Sequence, residues 1–311
     1  MMRFFLILLT VVTCTLSAVP DASAQTRVGV AMARFNDPFP KLLRESIIKE
    51  AADMSGVMLD VKDAKNDKVT QLSQIQEFVE QGVDAVVMNP AVGMTAEDLL
   101  ALGDMLTPKN IPLVFLNTAP KVDTFPVPFA IVISNDLVAG RLQMRKAADL
   151  KGGKAKVFIL KGLENHNAAI GRTRGVKQVA DSYPGVSILG EATANWSRDE
   201  ASALIAKWLQ DGNSADVILA NNDEMALGVI RGYQTAGQSL DDVVIGGVDA
   251  TNDGLAAVAD GLMTFTVKQN AEAQGRKAIQ DAVKLVNGDV VPQYDWVPYE
   301  LITEKNLASY Q

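Results

Sequence analysis

Cysteine and histidine are almost absent from this 311-residue chain, which has one of each. The single cysteine, Cys14, lies within the first 24 residues, and cleavage after Ala24 would leave a mature chain with none. Disulfides, thiolate metal ligands and cysteine nucleophiles are then excluded. The single histidine, His166, has no second histidine with which to share a metal, and no serine-elbow motif of a hydrolase is present. No Gly-rich loop leads into a Lys-Ser/Thr pair and no Gly-x-Gly-x-x-Gly follows an apolar run, so phosphate chemistry lacks its cradle. Gly152-Gly153 reads as a turn. There is also no basic block: the net charge of −8 is spread along the chain, which makes nucleic acid a poor partner. Beyond the first residues, no run is long and apolar enough to span a membrane.

What is present begins with Met1-Met2-Arg3, an apolar run over 4–12, and Ala22-Ser23-Ala24 before Gln25. A basic start, a short apolar middle and a small-residue site describe a cleavable signal peptide over 1–24. A lipid anchor on Cys14 fits less well, because Val11-Val12-Thr13 is a poor lead-in. The expectation is an exported, soluble, periplasmic protein. Its length suits two domains better than one core.

Apolar, β-branched runs alternate with amphipathic segments. Strands are expected over 28–33, 57–61, 85–88, 112–116, 130–133, 156–160, 186–189, 217–219, 243–246 and 264–267. Helical spacing appears over 41–54, 69–81, 137–150, 198–210 and 271–286, among others. Continuous apolar strands between helices imply parallel sheets covered on both faces. An α/β architecture of two doubly wound parallel-sheet domains accounts for this many strands; a closed barrel is the runner-up. The break lies near Phe125-Pro126-Val127-Pro128. The tail reads as strand-like, with Pro292 and Pro298 limiting its pairing and helix signals only near its end.

In open α/β sheets, residues just past a strand's carboxyl end face the crevice where ligands bind. In Val217-Ile218-Leu219-Ala220-Asn221-Asn222-Asp223-Glu224, an apolar run stops at two amides and a helix follows. Asp223 is expected as N-cap or first-turn acid, and Asn222 as the residue that reaches a ligand. Each polar strand end has a bland reading as a cap or turn former. Yet Asp37, Asn89, Asn117, Asn222 and Asp249 repeat the pattern five times. Asp37 with Phe39 offers a carboxylate for hydroxyls and a ring for the C–H face of a sugar. His166 alone is more often a solvated bystander, and Arg172 alone could serve a surface ion pair, but its planar fork suits neighbouring hydroxyls. Trp196, in a loop between strand and helix, reads as a stacking platform, whereas Trp208 is expected in the core. Gln269 and Asn270 close the last long strand with amides.

Together these residues resemble the bacterial periplasmic monosaccharide-binding proteins of the ribose/galactose type, which serve ABC importers. The resemblance covers essentially the whole mature chain. It is carried by Val114-Phe115-Leu116-Asn117, Leu160-Lys161-Gly162 with His166, Thr193-Ala194-Asn195-Trp196, Ala220-Asn221-Asn222-Asp223, Gly247-Val248-Asp249-Ala250 and Val297-Pro298-Tyr299. These are nearest the galactose/glucose-binding branch, while Asn36-Asp37-Pro38-Phe39 and Asn222-Asp223-Glu224-Met225 look equally like the ribose-binding branch. The resemblance implies a type I periplasmic-binding-protein fold with a three-strand hinge. One domain would comprise 25–133 with 270–294, the other 134–269 with 295–311. Asp37, Phe39, Asn117, His166, Arg172, Trp196, Asn222, Asp249 and Gln269 would line the cleft, with Phe39 and Trp196 sandwiching the sugar ring. Asn36, Asn89, Thr118 and Ser134 are additional candidates.

The sequence departs from the family at Ala33, Thr118 and Ala168, which leaves a roomier, differently polar cleft. The turn Leu150-Lys151-Gly152-Gly153-Lys154 lacks acidic ligands where the galactose-binding branch holds calcium, so no metal and no cofactor is expected. The implied function is capture of a monosaccharide, a hexose such as galactose or glucose first. A cyclitol such as myo-inositol, a pentose or a polyol is the alternative. The implied partners are the membrane permease of an ABC importer and a chemoreceptor, and the protein is expected to be a monomer. A transcription regulator would need a helix-turn-helix module before the first strand, where a signal peptide stands instead. An exported glycoside-modifying enzyme would need more than the pair Asp37 and Asp249.

Overall fold

A computed structural model describes residues 25–120 and 122–310; the expected signal peptide lies outside the described residues. Two six-stranded sheets organise the chain. The first is entered at β1 (Thr26–Met32), β2 (Val57–Asp63), β3 (Ala85–Met88), β4 (Leu113–Leu116) and β5 (Phe129–Ile133). Between these strands lie α1 (Pro38–Asp53), α2 (Lys68–Gln81) and α3 (Ala96–Leu106). The chain then crosses to α4 (Asp136–Leu150), β6 (Lys154–Lys161), α5 (Asn167–Ala180), β7 (Gly185–Thr193), α6 (Arg198–Gln210) and β8 (Val217–Ala220). That lobe continues through α7 (Asp223–Thr235), β9 (Val244–Val248), α8 (Asn252–Ala259) and β10 (Phe265–Gln269). Finally α9 (Ala271–Val286) and β11 (Tyr294–Trp296) return to the first lobe, and β12 (Tyr299–Thr303) ends in the second.

The strand orders are β11-β5-β4-β3-β1-β2 and β12-β10-β9-β8-β6-β7. All pairings are parallel except β12 on β10, an antiparallel edge that a strand entering directly from the other lobe can supply. The central strands β3, β4, β8 and β9 are buried at every residue, as expected for sheets with helices on both faces. The chain passes between lobes three times: after β5, after β10, and between β11 and β12. The last passage corrects one expected boundary. β11 pairs with β5 through Trp296↔Ile133, so the chain stays in the first sheet past residue 294 and crosses at Val297-Pro298.

Helix contacts set the details that matter for the site. Helices α4 and α5 approach so closely that a Cβ on Gly140 would collide with the Arg172 carbonyl, and only glycine permits it. This brings the start of α4, with Asp136, beside Arg172 on α5. Strand β7 runs four residues beyond its expected end, to Thr193, and delivers the Asn195-Trp196 loop directly to the cleft.

Candidate functional site

The cleft between the lobes holds a cavity of about 480 Å³, within the roughly 300–1,000 Å³ typical of small-molecule sites. Arg34, Asp37, Pro38, Phe39, Pro40 and Asn117 form the wall from the first lobe. The second lobe contributes His166, Ala168, Arg172, the run from Asn195 to Asp199, Asn222, Glu224, Asp249 and Gln269. All nine principal candidates therefore meet on one cavity. The additional four do not line it. Asn36 is exposed, and Thr118 lines a smaller neighbouring cavity. Asn89 is spent on the ends of β1 and β4, accepting from Ala33 N at 3.4 Å and donating to the Leu116 carbonyl at 3.0 Å. Ser134 is buried and accepts from Gln274 Nε2 at 3.0 Å.

Asn222, not Asp223, is the N-cap of α7: its Oδ1 accepts from Met225 N at 3.0 Å, which leaves its Nδ2 as a donor. Asp223 lies fully buried in the first turn. Its carboxylate accepts from Thr266 Oγ1 at 2.6 Å, Thr251 N at 2.8 Å and Thr251 Oγ1 at 3.2 Å. Burial pushes this carboxyl up to about 7 against those donors. The acid thus ties α7 to β10 and to the loop bearing Asp249. Glu224 turns outward to a two-pronged pair with Arg198, at 2.7 and 3.0 Å.

Asp37 occupies the N-cap position of α1, yet its side chain makes no cap bond. It pairs instead with Arg34 Nε at 2.8 Å on the cavity wall. Phe39 is 8% exposed and belongs mainly to the first lobe's core, so it presents only a small part of itself. Trp196 stands opposite, and here the reading of a loop aromatic without core contact is corrected. Its indole packs on the core cluster of the second lobe and lies against Gly162, where a Cβ would overlap it. His166 meets the Trp196 ring edge-on at 5.4 Å and caps α5, its Nδ1 accepting from Ala168 N at 3.1 Å. That contact assigns the proton of neutral His166 to Nε2. Burial, aided by Arg172 and Arg34 and opposed by Asp136, lowers its pKa to about 4. His166 is therefore neutral at pH 7.

Arg172 is buried, and each of its five N–H groups has a protein acceptor. Nε donates to Asp136 at 3.0 Å, Nη1 to the Asn221 carbonyl at 2.6 Å and Asp249 at 3.4 Å, and Nη2 to Gln269 at 2.8 Å and the Tyr299 hydroxyl at 3.1 Å. Burial opposes its charge, but Tyr299, Asp136 and Asp249 more than restore it. The fork expected to reach hydroxyls thus holds Asp249 and Gln269 in place. Burial raises the Asp249 carboxyl well above its usual range, and Arg172 only partly offsets this. Asn117, Asn195, Trp196, Asp249 and Ala250 all have positive φ, between 50° and 118°. Such backbone costs about 1–3 kcal/mol per residue and tends to cluster at ligand sites.

Sequence reasoning passed over Arg34, Arg198, Asp199 and Glu224. Each is a charged loop or first-turn residue that a solvated surface would explain equally well. Across the cleft, Asn167 Nδ2 donates to the Ala119 carbonyl at 3.1 Å, a direct bond between the lobes.

A sequence profile described as periplasmic binding protein domain matches residues 28–289. The chain belongs to this family. A relative from Rhizobium meliloti named for rhizopine binding is 40% identical over 296 residues, 94% of this chain and 95% of the relative. The xylitol-binding protein of Mycolicibacterium smegmatis is 33% identical over 257 residues, 82% of this chain and 71% of the relative. Among solved structures, an ABC transporter solute-binding protein from Bacillus halodurans with bound myo-inositol superposes with a TM-score of 0.85 at 34% identity, covering 93% of this chain and 98% of that one. The chain is thus a binding protein, not an enzyme, and it has the two-domain α/β fold of its type I relatives. Among the described residues no helix is long and apolar enough to cross a membrane.

Proposed function

We propose that this protein captures a neutral, polyhydroxylated six-carbon ligand in the interlobe cavity and presents it to the permease of an ABC importer. A cyclitol of the inositol type is favoured, and a hexopyranose is the second reading. One observation carries the choice of a neutral ligand: every charged side chain lining the cavity is already paired. Arg34 meets Asp37, Arg198 meets Glu224 and Asp253, Arg231 meets Asp199, and Arg172 meets Asp136 and Asp249. His166 is uncharged at neutral pH. A charged ligand would have to break one of these pairs, whereas hydroxyls can share their remaining lone pairs and the free amide donors.

The residues then divide the work. Asp37 and Asp249 accept from hydroxyls, Asn222 Nδ2 and His166 Nε2 donate, and Phe39 and Trp196 cover the C–H faces of the ring. Myo-inositol, bound to the Bacillus halodurans relative, moves the preference from hexose toward cyclitol, and xylitol, in the name of the Mycolicibacterium relative, is an open-chain polyol that likewise has no ring oxygen. Asp37 with His166 favours the hexose reading. Export to the periplasm, a monomeric state and service to a chemoreceptor belong to the same proposal.

The test is a thermal-shift panel of galactose, glucose, ribose, xylose, xylitol and myo-inositol, followed by calorimetry. Ligand at about 100 times Kd stabilises the native state by about 2.7 kcal/mol, a readily seen shift. A shift with myo-inositol supports the cyclitol reading, a shift with a hexose alone supports the second, and no shift with any of the six sinks both.

A further inference from the structure

Gln274 touches no part of the cavity. It lies in the first turn of α9, fully buried, immediately after the second passage between lobes. Its amide is held at both ends. Oε1 accepts from Asn117 Nδ2 at 3.1 Å, and Nε2 donates to Ser134 Oγ at 3.0 Å. Asn117 lines the cavity, while Ser134 is buried where the chain first leaves the first lobe. Asn117 itself is in the left-handed region, at φ 64°, with its backbone N–H bonded to the Val132 carbonyl. Its backbone is thereby fixed, and what remains free is the direction of its amide.

From this geometry we propose that Gln274 is a specificity-determining positioning residue. By taking Asn117 Nδ2, it turns Asn117 Oδ1 to the cavity as an acceptor. Among the described residues no donor pairs with that Oδ1. The first lobe thus sets two acceptors, Asn117 Oδ1 and the Asp37 carboxylate, beside the Arg34 guanidinium, and favours a ligand that donates hydroxyl hydrogens to those two groups. The second lobe supplies the amide and imidazole donors. An ether or ring oxygen placed against Asn117 would face an acceptor and be rejected, because two acceptors leave a buried mismatch. The assignment of ligand rests on the proposed polyol reading, but the direction of the Asn117 amide does not.

Two variants separate the roles of Gln274. In Gln274→Glu both carboxylate oxygens accept, from Asn117 Nδ2 and from the Ser134 hydroxyl, so the Asn117 orientation is kept. In Gln274→Met a chain of similar length carries no polar group, and Asn117 is released. The first arm needs no ligand. Side-chain amide NMR of the full-length mature protein should show slow hydrogen exchange at Asn117 Nδ2 in the wild type and in Gln274→Glu, and fast exchange in Gln274→Met. Unchanged exchange in Gln274→Met would overturn the proposal. The second arm is a double-mutant cycle with Asn117→Ala, titrated with myo-inositol or with the panel member that binds. Gln274→Met should weaken binding about tenfold, Gln274→Glu much less, and Asn117→Ala should add little once Gln274→Met is present. Independent, additive losses would show that Gln274 acts on folding alone and would overturn its role in specificity. If the wild type binds none of the panel, the ligand assignment fails while the exchange arm still decides how Asn117 is oriented.

Discussion

Arg172 and Tyr299, 127 residues apart in sequence, meet at 3.1 Å, and the same Tyr299 hydroxyl donates to Asp136 at 2.7 Å. Asp136 follows the first passage between lobes, Gln269 precedes the second and Tyr299 follows the third. One guanidinium therefore fastens the second-lobe ends of all three connections while holding Asp249 and Gln269 at the cavity. Tyr299→Phe should remove an acceptor from Arg172 and a donor from Asp136 in a buried site, at about 1–3 kcal/mol of stability. Because Tyr299 does not line the cavity, weakened ligand binding would have to travel through Arg172. Calorimetry on Tyr299→Phe tests this: wild-type affinity together with a wild-type melting midpoint would refute the arrangement.

Gly162 is where the Trp196 indole comes to rest. Gly162→Ala should displace the ring and weaken binding nearly as much as Trp196→Ala, although residue 162 does not line the cavity. Trp196→Ala should also lower the melting midpoint, since the indole covers part of the second lobe's core. Equal melting curves for Trp196→Ala and wild type would contradict that packing.

His166 makes stability depend on pH in a defined direction. Its pKa falls from 6.5 in the unfolded chain to about 4 in the fold. Between these values the unfolded state binds a proton that the native state does not, so stability is full above pH 6.5 and declines as pH falls toward about 4. The upper bound is about 3 kcal/mol, and the half-buried position of the imidazole reduces it. Asp223, raised to about 7, works the other way between its ordinary value of 3.8 and 7. The informative quantity is therefore the difference between wild type and His166→Asn, which keeps a capping oxygen for α5. Urea titrations should show this difference changing between pH 6.5 and 4; a constant difference would mean that His166 is not desolvated.

Asp37→Ala and Asn222→Ala should behave differently. Both remove a polar group from the cavity, and both should weaken binding. Only Asn222 also caps its helix, so Asn222→Ala should cost about 1 kcal/mol of stability as well. Asp37→Ala should melt close to wild type, because its side chain caps nothing. A large loss of stability in Asp37→Ala would show that the Arg34 pair supports the fold.

The fold was legible because buried parallel strands announce themselves as apolar runs, and the cavity because strand ends point to a common crevice. Val217 to Asn222 exemplify both. The parts that escaped depend on partners far along the chain. Nothing near Tyr299 signals that its hydroxyl meets Arg172 and Asp136, and Gln274 reads as an ordinary polar residue in a helix start. Arg34 and Arg198 escaped because a charged loop residue usually faces water. The third passage was misplaced because the three-residue strand Tyr294–Trp296 carries too short a pattern, with Tyr294 and Trp296 exposed and stacked on each other. Asp223 shows the opposite failure. Its position at a helix start was clear, while its full burial came from the approach of Thr251 and Thr266.

Three passages between lobes also mean that neither lobe is made from a continuous piece of chain. Val28, Val30 and Met32 share their core with Ala278, Ile279, Ala282 and Val297, and the second sheet takes its outermost strand from Tyr299–Thr303. During synthesis, the earliest strand must wait for nearly the last helix before its apolar face is covered. Contacts this distant in sequence slow folding, and they make assembly of the two lobes a single late event. A chain ending at residue 269 would lack α9, which shares one covering layer of the first lobe with α1, and an edge strand of each sheet, so deletion of the last 42 residues should leave no half that folds by itself.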